Sequence, residues 1–183
     1  SSVAQIGYMM LGISFGTVTG LTAGIVHLFN HALMKSALFL AVGCIFLRTN
    51  SVQLDDLSGL GKRLPVTSFA FVLGGLGLIG VPLTVGFISK WYLILGALER
   101  GWWPVAGLVV ISSLMALVYI WRFVEIAYFR PVPEGADPIA EAPLSMLLPM
   151  WLLLALAIGF GVQTSLTADI ASRAALWLLA GTP

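Results

Sequence analysis

Three titratable side chains stand four residues apart in one apolar stretch: His27, His31 and Lys35. On a helix each step of four turns about 40° past a full circle, so the three form one slanted stripe. Histidine titrates near neutrality and can take a proton on one nitrogen while releasing one from the other. A lysine withdrawn from water loses part of its preference for charge and can release a proton. Two imidazoles and an amine in this register describe a proton relay, with Asn30 and Ser36 beside it to hold water. Zinc is a weaker reading of the two histidines, because no nearby thiol or carboxylate completes a site. The bland alternative is polar glue between helices. Three titratable groups in register favour the relay, and the stripe then requires Lys35 to face the protein interior within reach of His31 through water.

A second lysine, Lys90, lies eight residues after Pro82 in Gly80-Val81-Pro82-Leu83-Thr84-Val85-Gly86-Phe87-Ile88-Ser89-Lys90-Trp91. Snorkelling to an outer interface would also suit its long stem. Its nearness to Pro82 argues for an internal place, with Thr84 and Ser89 as water ligands. Arg122 and Glu125, three apart, are expected to pair locally. Gly74-Gly75-Leu76-Gly77 reads as close helix packing rather than a phosphate loop. Cys44 is the lone cysteine, and no motif of a soluble enzyme occurs.

The elements that position these residues belong to a membrane. Of 183 residues, 59% are apolar and 9% charged, with mean hydropathy +1.01; soluble domains average about 25% charged. The net charge of +1 provides no field for nucleic acid. The chain begins at Ser1 without a signal-peptide pattern and reads as starting within a longer protein. Apolar segments are expected at about 3–18, 21–47, 65–98, 102–129 and 144–162, with a brief break at Thr19-Gly20 and a mildly amphipathic tail at 165–180 that contains Asp169 and Arg173. The third segment as one straight helix would be about 50 Å long, well beyond a hydrocarbon core of about 30 Å. Gly80, Pro82 and Gly86 predict a discontinuous helix, interrupted between Ile79 and Gly86. Irregular backbone at that depth must be buried in protein or line a water-filled cavity. Trp102, Trp103, Tyr119, Trp121 and Tyr128 form an aromatic belt about the fourth segment. A loop with Pro131, Pro133, Glu134, Asp137, Pro138, Glu141 and Pro143 follows. Arg48, Lys62, Arg63, Arg122 and Arg130 mark one side as cytoplasmic, against Arg100 and Arg173 on the other.

Four stretches then stand in the order of one family: Ser2-Val3-Ala4-Gln5-Ile6-Gly7-Tyr8; His27-Leu28-Phe29-Asn30-His31-Ala32-Leu33-Met34-Lys35-Ser36-Ala37-Leu38-Phe39-Leu40; Asp56-Leu57-Ser58-Gly59-Leu60-Gly61-Lys62-Arg63-Leu64-Pro65; and the segment from Gly80 to Trp91. They resemble the antiporter-like, proton-conducting membrane subunits of respiratory complex I, membrane-bound hydrogenases and Mrp-type multisubunit cation/proton antiporters, with the closest likeness to the Mrp D-type subunit. The resemblance covers most of the chain up to about residue 129. It implies an all-α, polytopic transmembrane bundle of about five spanning helices, one of them discontinuous, similar to the second inverted repeat of these subunits. Together with the apolar segments and the loop charges, the expected organisation is a proton-conducting membrane domain at 1–129, a cytoplasmic loop at 130–143, and an additional transmembrane helix with an interfacial tail at 144–183. Lys35 matches the family's central lysine, with His27 and His31 beside it, and Lys90 matches the lysine on the broken helix at the proton exit. The family's glutamate and lysine of the first repeat have no counterpart in this sequence.

The expected function is a proton-translocating subunit of a monovalent-cation (Na+)/proton antiporter in the bacterial plasma (inner) membrane. The alternatives are the related subunit of NADH-quinone oxidoreductase or of a membrane-bound hydrogenase, and a non-conducting scaffold subunit. No cofactor or metal is expected. The expected partners are other membrane subunits, protons, Na+ as a candidate ion, and lipid, without nucleic acid.

Overall fold

The computed structural model describes residues 1–135 and 138–181; Asp137 of the proline-rich loop and the last two residues of the tail lie outside them. Eight α-helices are present among the described residues: α1 (Ser2–Ser14), α2 (Val18–Thr49), α3 (Leu60–Arg63), α4 (Pro65–Ile79), α5 (Val85–Glu99), α6 (Trp103–Val124), α7 (Leu144–Val162) and α8 (Thr164–Ala180). A 3₁₀ turn (Leu54–Leu57) precedes α3, and a π turn (Glu125–Phe129) extends α6. The protein is an all-helical, multi-pass membrane protein. By length and apolarity, α2, α6 with its π turn, and α7 can each cross a membrane.

The 32-residue α2 is the axis. At 1.5 Å per residue it is about 48 Å long, so it passes through a ~30 Å core and beyond it. The break before α2 falls at residues 15–17, not at Thr19-Gly20, because Thr17 adopts extended backbone and its hydroxyl accepts from the Gly20 amide at 3.1 Å, the geometry of an N-cap. α1 accordingly ends at Ser14, with 13 residues in this chain. Its Gln5, Tyr8 and Gly12 face inward.

The third segment is two helices. α4 and α5 have 15 residues each, about 22 Å apiece, so only the pair completes a crossing. One end of the pair lies by Arg48, whose guanidinium donates to the Glu141 carbonyl (2.6 Å) while the Glu141 carboxylate takes the Val66 amide (2.6 Å) and the Thr67 hydroxyl (2.7 Å). The other end lies at the start of α2, where the Thr19 hydroxyl donates to Glu99 (2.6 Å) and Arg100 donates to the Phe15 carbonyl (2.7 Å). The broken pair therefore runs antiparallel to α2 from end to end.

Between them, Gly80 ends α4 at φ +87°, and Leu83 holds φ +74°, a value rare for a side chain of that size. α5 then starts so close to α4 that a Cβ on Gly86 would stand 1.9 Å from the Gly77 carbonyl oxygen. Pro149 inside α7 makes the contrast, since that helix runs on through it.

The expected pairing at the end of α6 needs correction. Arg122 and Glu125 form no ion pair with each other; both side chains are exposed where the helix changes from α to π turns, and Arg130 pairs with Asp55 instead (3.4 Å). The expected tail forms α8, which turns Ala168, Ala171 and Ala175 inward and packs along α2.

Candidate functional site: a polar track between α1, α2 and α5

An apolar helix surface packs by excluding water, so polar groups that enter the packing must find one another. Here they converge on the interface of α1, α2 and α5. His27 is 0% exposed, and its Nδ1 lies 2.8 Å from the Ser89 hydroxyl of α5. The Ser89 hydroxyl also lies 3.4 Å from the Gly86 carbonyl, as its donor. Across the interface the Tyr8 ring meets His27 edge-on, at 5.3 Å between centroids. His31 continues the stripe one turn on, its ring parallel to that of His27 at 6.4 Å. Neither His27 nor His31 has a partner for Nε2 among the described residues.

Lys90 is 5% exposed and buried beside this pair, not extended to an outer interface. Its ammonium donates to the Leu78 carbonyl (2.7 Å) and the Ile79 carbonyl (3.0 Å). These are among the last carbonyls of α4, which have no partner within the helix. They also form the negative end of its dipole, where a cation is favoured. The broken helix thus creates the lysine's binding partners: an uninterrupted helix would have used both carbonyls itself. Lys90 Nζ also sits 5.2 Å from the centre of the Tyr8 ring, in cation–π geometry. Tyr8 consequently touches both Lys90 and His27, and its hydroxyl is hydrogen-bonded to Ser112 of α6.

Lys35 occupies a different setting. It is half-buried, its ammonium donates to the Ser1 hydroxyl (2.6 Å), and it lies 5.1 Å from the Phe39 ring. It opens into a cavity of about 230 Å³ lined otherwise by Ser1, Tyr119 and apolar groups. Asn30 is buried, but its amide donates to the Val85 carbonyl at the start of α5 (2.7 Å), pinning the break rather than simply holding water. Ser36 is exposed and turned away from the stripe. Thr84 closes its own turn by donating to the Val81 carbonyl (2.6 Å).

The structure brings His27 and Lys90 together at Tyr8, stacks His31 on His27, and leaves Lys35 further along the same helix face. Gln5 and Tyr8 are not among the residues expected at the site. The signal was available: two polar residues three apart in an apolar helix share a face.

The chain matches the family model described as NADH:quinone oxidoreductase/Mrp antiporter, transmembrane, over residues 1–116. It is 42% identical over 174 residues to an NADH-quinone oxidoreductase subunit N of Desulforudis audaxviator, covering 88% of this chain and 34% of that protein. It is 27% identical over 177 residues to the D-type subunit of a Na(+)/H(+) antiporter of Bacillus subtilis, covering 97% of this chain and 36% of that one. Among solved structures, one of the Mrp complex from Dietzia sp. superimposes with a TM-score of 0.86 at 27% identity, over 95% of this chain and 40% of its counterpart. The chain therefore spans about a third of the length of the curated relatives it matches. On these grounds the chain belongs to the NADH:quinone oxidoreductase/Mrp antiporter transmembrane family of antiporter-like membrane subunits.

Proposed function

We propose that this chain is the part of a proton-translocating, antiporter-like subunit that carries one half-channel, and that protons pass between Lys90, the His27–His31 pair and Lys35. The observation that carries the reading is the track itself. Titratable groups inside an apolar bundle are expensive, and here they adjoin one another from Lys90 through Tyr8 and His27 to His31, with Lys35 one turn further. Ser89 fixes His27 Nδ1, which leaves Nε2 as the nitrogen free to exchange a proton with water. Two lysines on one track discourage each other's charge, so loading one favours emptying the other. Other membrane subunits of the same complex are the partners in this reading, and the end of α2 that carries Arg48 faces the cytoplasm of a bacterial inner membrane.

Two drives suit the track. The Mrp-type reading, in which a monovalent cation such as Na+ exchanges for protons, is supported by the fold likeness to the Mrp complex. The quinone-oxidoreductase reading, in which redox chemistry elsewhere drives the same lysines, is supported by the 42% identity to a subunit N. Everted vesicles carrying the whole complex separate them. Acidification started by NADH and quinone supports the second drive, and pH change started by a Na+ pulse supports the first. Proton movement with neither, at normal subunit level, removes both. Lys35→Ala should abolish the movement in whichever case applies.

A further inference from the structure

α1 and α2 are joined by a three-residue turn and pack antiparallel, which brings residues of α1 opposite defined residues of α2. Two contacts fix the register. Ser1 lies at Lys35 (2.6 Å between Oγ and Nζ), and Tyr8 lies at His27. Gln5 stands between Ser1 and Tyr8 on the inward face of α1, as His31 stands between Lys35 and His27 on α2. Gln5 is 2% exposed, and its Oε1 is buried with no partner among the described residues. His31 Nε2 is buried and unpartnered in the same way. Each such group would cost several kcal/mol if left dry in an apolar interior. A water that bridges polar atoms at such a site removes the cost.

We propose that Gln5 is a positioning residue of the proton path, holding a bridging water on His31 midway between the His27–Tyr8 contact and Lys35. This rests on the relay reading above. An amide does not titrate in this range, so Gln5 itself carries no proton. Its carbonyl oxygen accepts from the water and its amide group donates, which keeps the water aligned with the imidazole whichever way the proton moves. Gln5 would then serve the step from His31 to Lys35, where no side chain among the described residues bridges the stripe.

The test is transport by the intact complex in everted vesicles, at matched subunit level by immunoblot, with melting of the solubilised complex followed in parallel. Gln5→Met keeps the size and removes both polar atoms. It should slow proton movement about tenfold, the loss expected when a barrier rises by the worth of one water-mediated hydrogen bond, and the ratio of rates in H₂O and D₂O should rise as this step becomes limiting. Gln5→Asn, which regains reach through a second water, should restore at least half the rate. Lys35→Ala in the same preparation reports on the relay itself. Wild-type transport by Gln5→Met with Lys35→Ala inactive overturns the role of Gln5 and leaves the relay standing. Wild-type transport by Lys35→Ala overturns both. Equal impairment of Gln5→Met and Gln5→Asn, with an unchanged isotope ratio, makes Gln5 a packing residue and overturns the proposal.

Discussion

The two lysines of the track are the same side chain in opposite circumstances. Lys90 is enclosed, with its ammonium bonded to two backbone carbonyls at the end of α4 and its stem packed along Gly80, where an added Cβ would lie 3.1 Å from Lys90 Cδ. Lys35 is half-open, bonded to one hydroxyl and facing a cavity. An ammonium held by rigid carbonyls belongs to the architecture as much as to the chemistry. An ammonium held by a single hydroxyl can turn away at little cost. The difference separates two settings that the sequence presents as one. In the proposed relay, a change of charge on Lys90 would release two carbonyls at the end of α4, whereas a change on Lys35 would release one hydroxyl.

The contrast predicts that function and stability come apart at one lysine and move together at the other. The largest effect is expected at Lys35. Lys35→Ala should abolish proton-coupled transport in vesicles while subunit level and melting temperature stay near normal, because only a half-buried charge and one exposed hydrogen bond are removed. Lys35→Arg should fail as well, since guanidinium does not give up its proton, and Lys35→His should keep part of the activity. A Lys35→Ala complex that melts far lower than the parent would erase the distinction.

Next comes the break that gives Lys90 its partners. Gly86→Ala places a Cβ 1.9 Å from the Gly77 carbonyl, which forces the half-helices apart. A loss of about 3 kcal/mol is expected, at the upper end for overpacking, read as reduced assembly and a lower melting temperature. Normal assembly would mean that the two halves are not held at this contact.

Lys90→Met should be intermediate. It keeps most of the stem but strips the Leu78 and Ile79 carbonyls of their donor, and should cost about 2 kcal/mol by scanning fluorimetry of the solubilised complex together with a loss of transport. Transport lost at unchanged stability would make Lys90 resemble Lys35 and collapse the comparison from the other side.

The smallest effect is expected at the far end of the same half-helix. Glu141→Gln keeps the shape of the group that takes the Val66 amide and Thr67 hydroxyl but removes its charge from the start of α4. The expected cost is about 0.5–1 kcal/mol, with transport retained. A complete loss of transport would show that both ends of α4 are tuned to the relay.

How far such a protein can be read without coordinates varies along the chain. The stripe of His27, His31 and Lys35 follows from spacing alone, because helical periodicity fixes which residues share a face before any tertiary contact forms. The interruption near Pro82 follows from segment length and from two glycines around a proline. Proline by itself would have misled, as the unbroken α7 through Pro149 makes plain. What distinguishes the two is the left-handed backbone at Gly80 and Leu83, and the carbonyls that Lys90 and Asn30 satisfy there. A break is tolerated where something else completes the hydrogen bonds the helix gives up.

Composition and local periodicity were enough to show that this is a membrane chain, which segments are helical, and which titratable residues lie on one helix face. Those are properties that a segment carries with it wherever it packs. Tertiary packing alone placed Tyr8 between Lys90 and His27, gave His27 Nδ1 to Ser89 rather than to a water, turned Ser36 away, and set Lys90 as the cap of α4. The contacts among these join residues 11 to 82 positions apart, from Ile79 and Lys90 to Tyr8 and Lys90. The register between two helices is set by side-chain packing across their whole interface, and a single helix's sequence does not contain it.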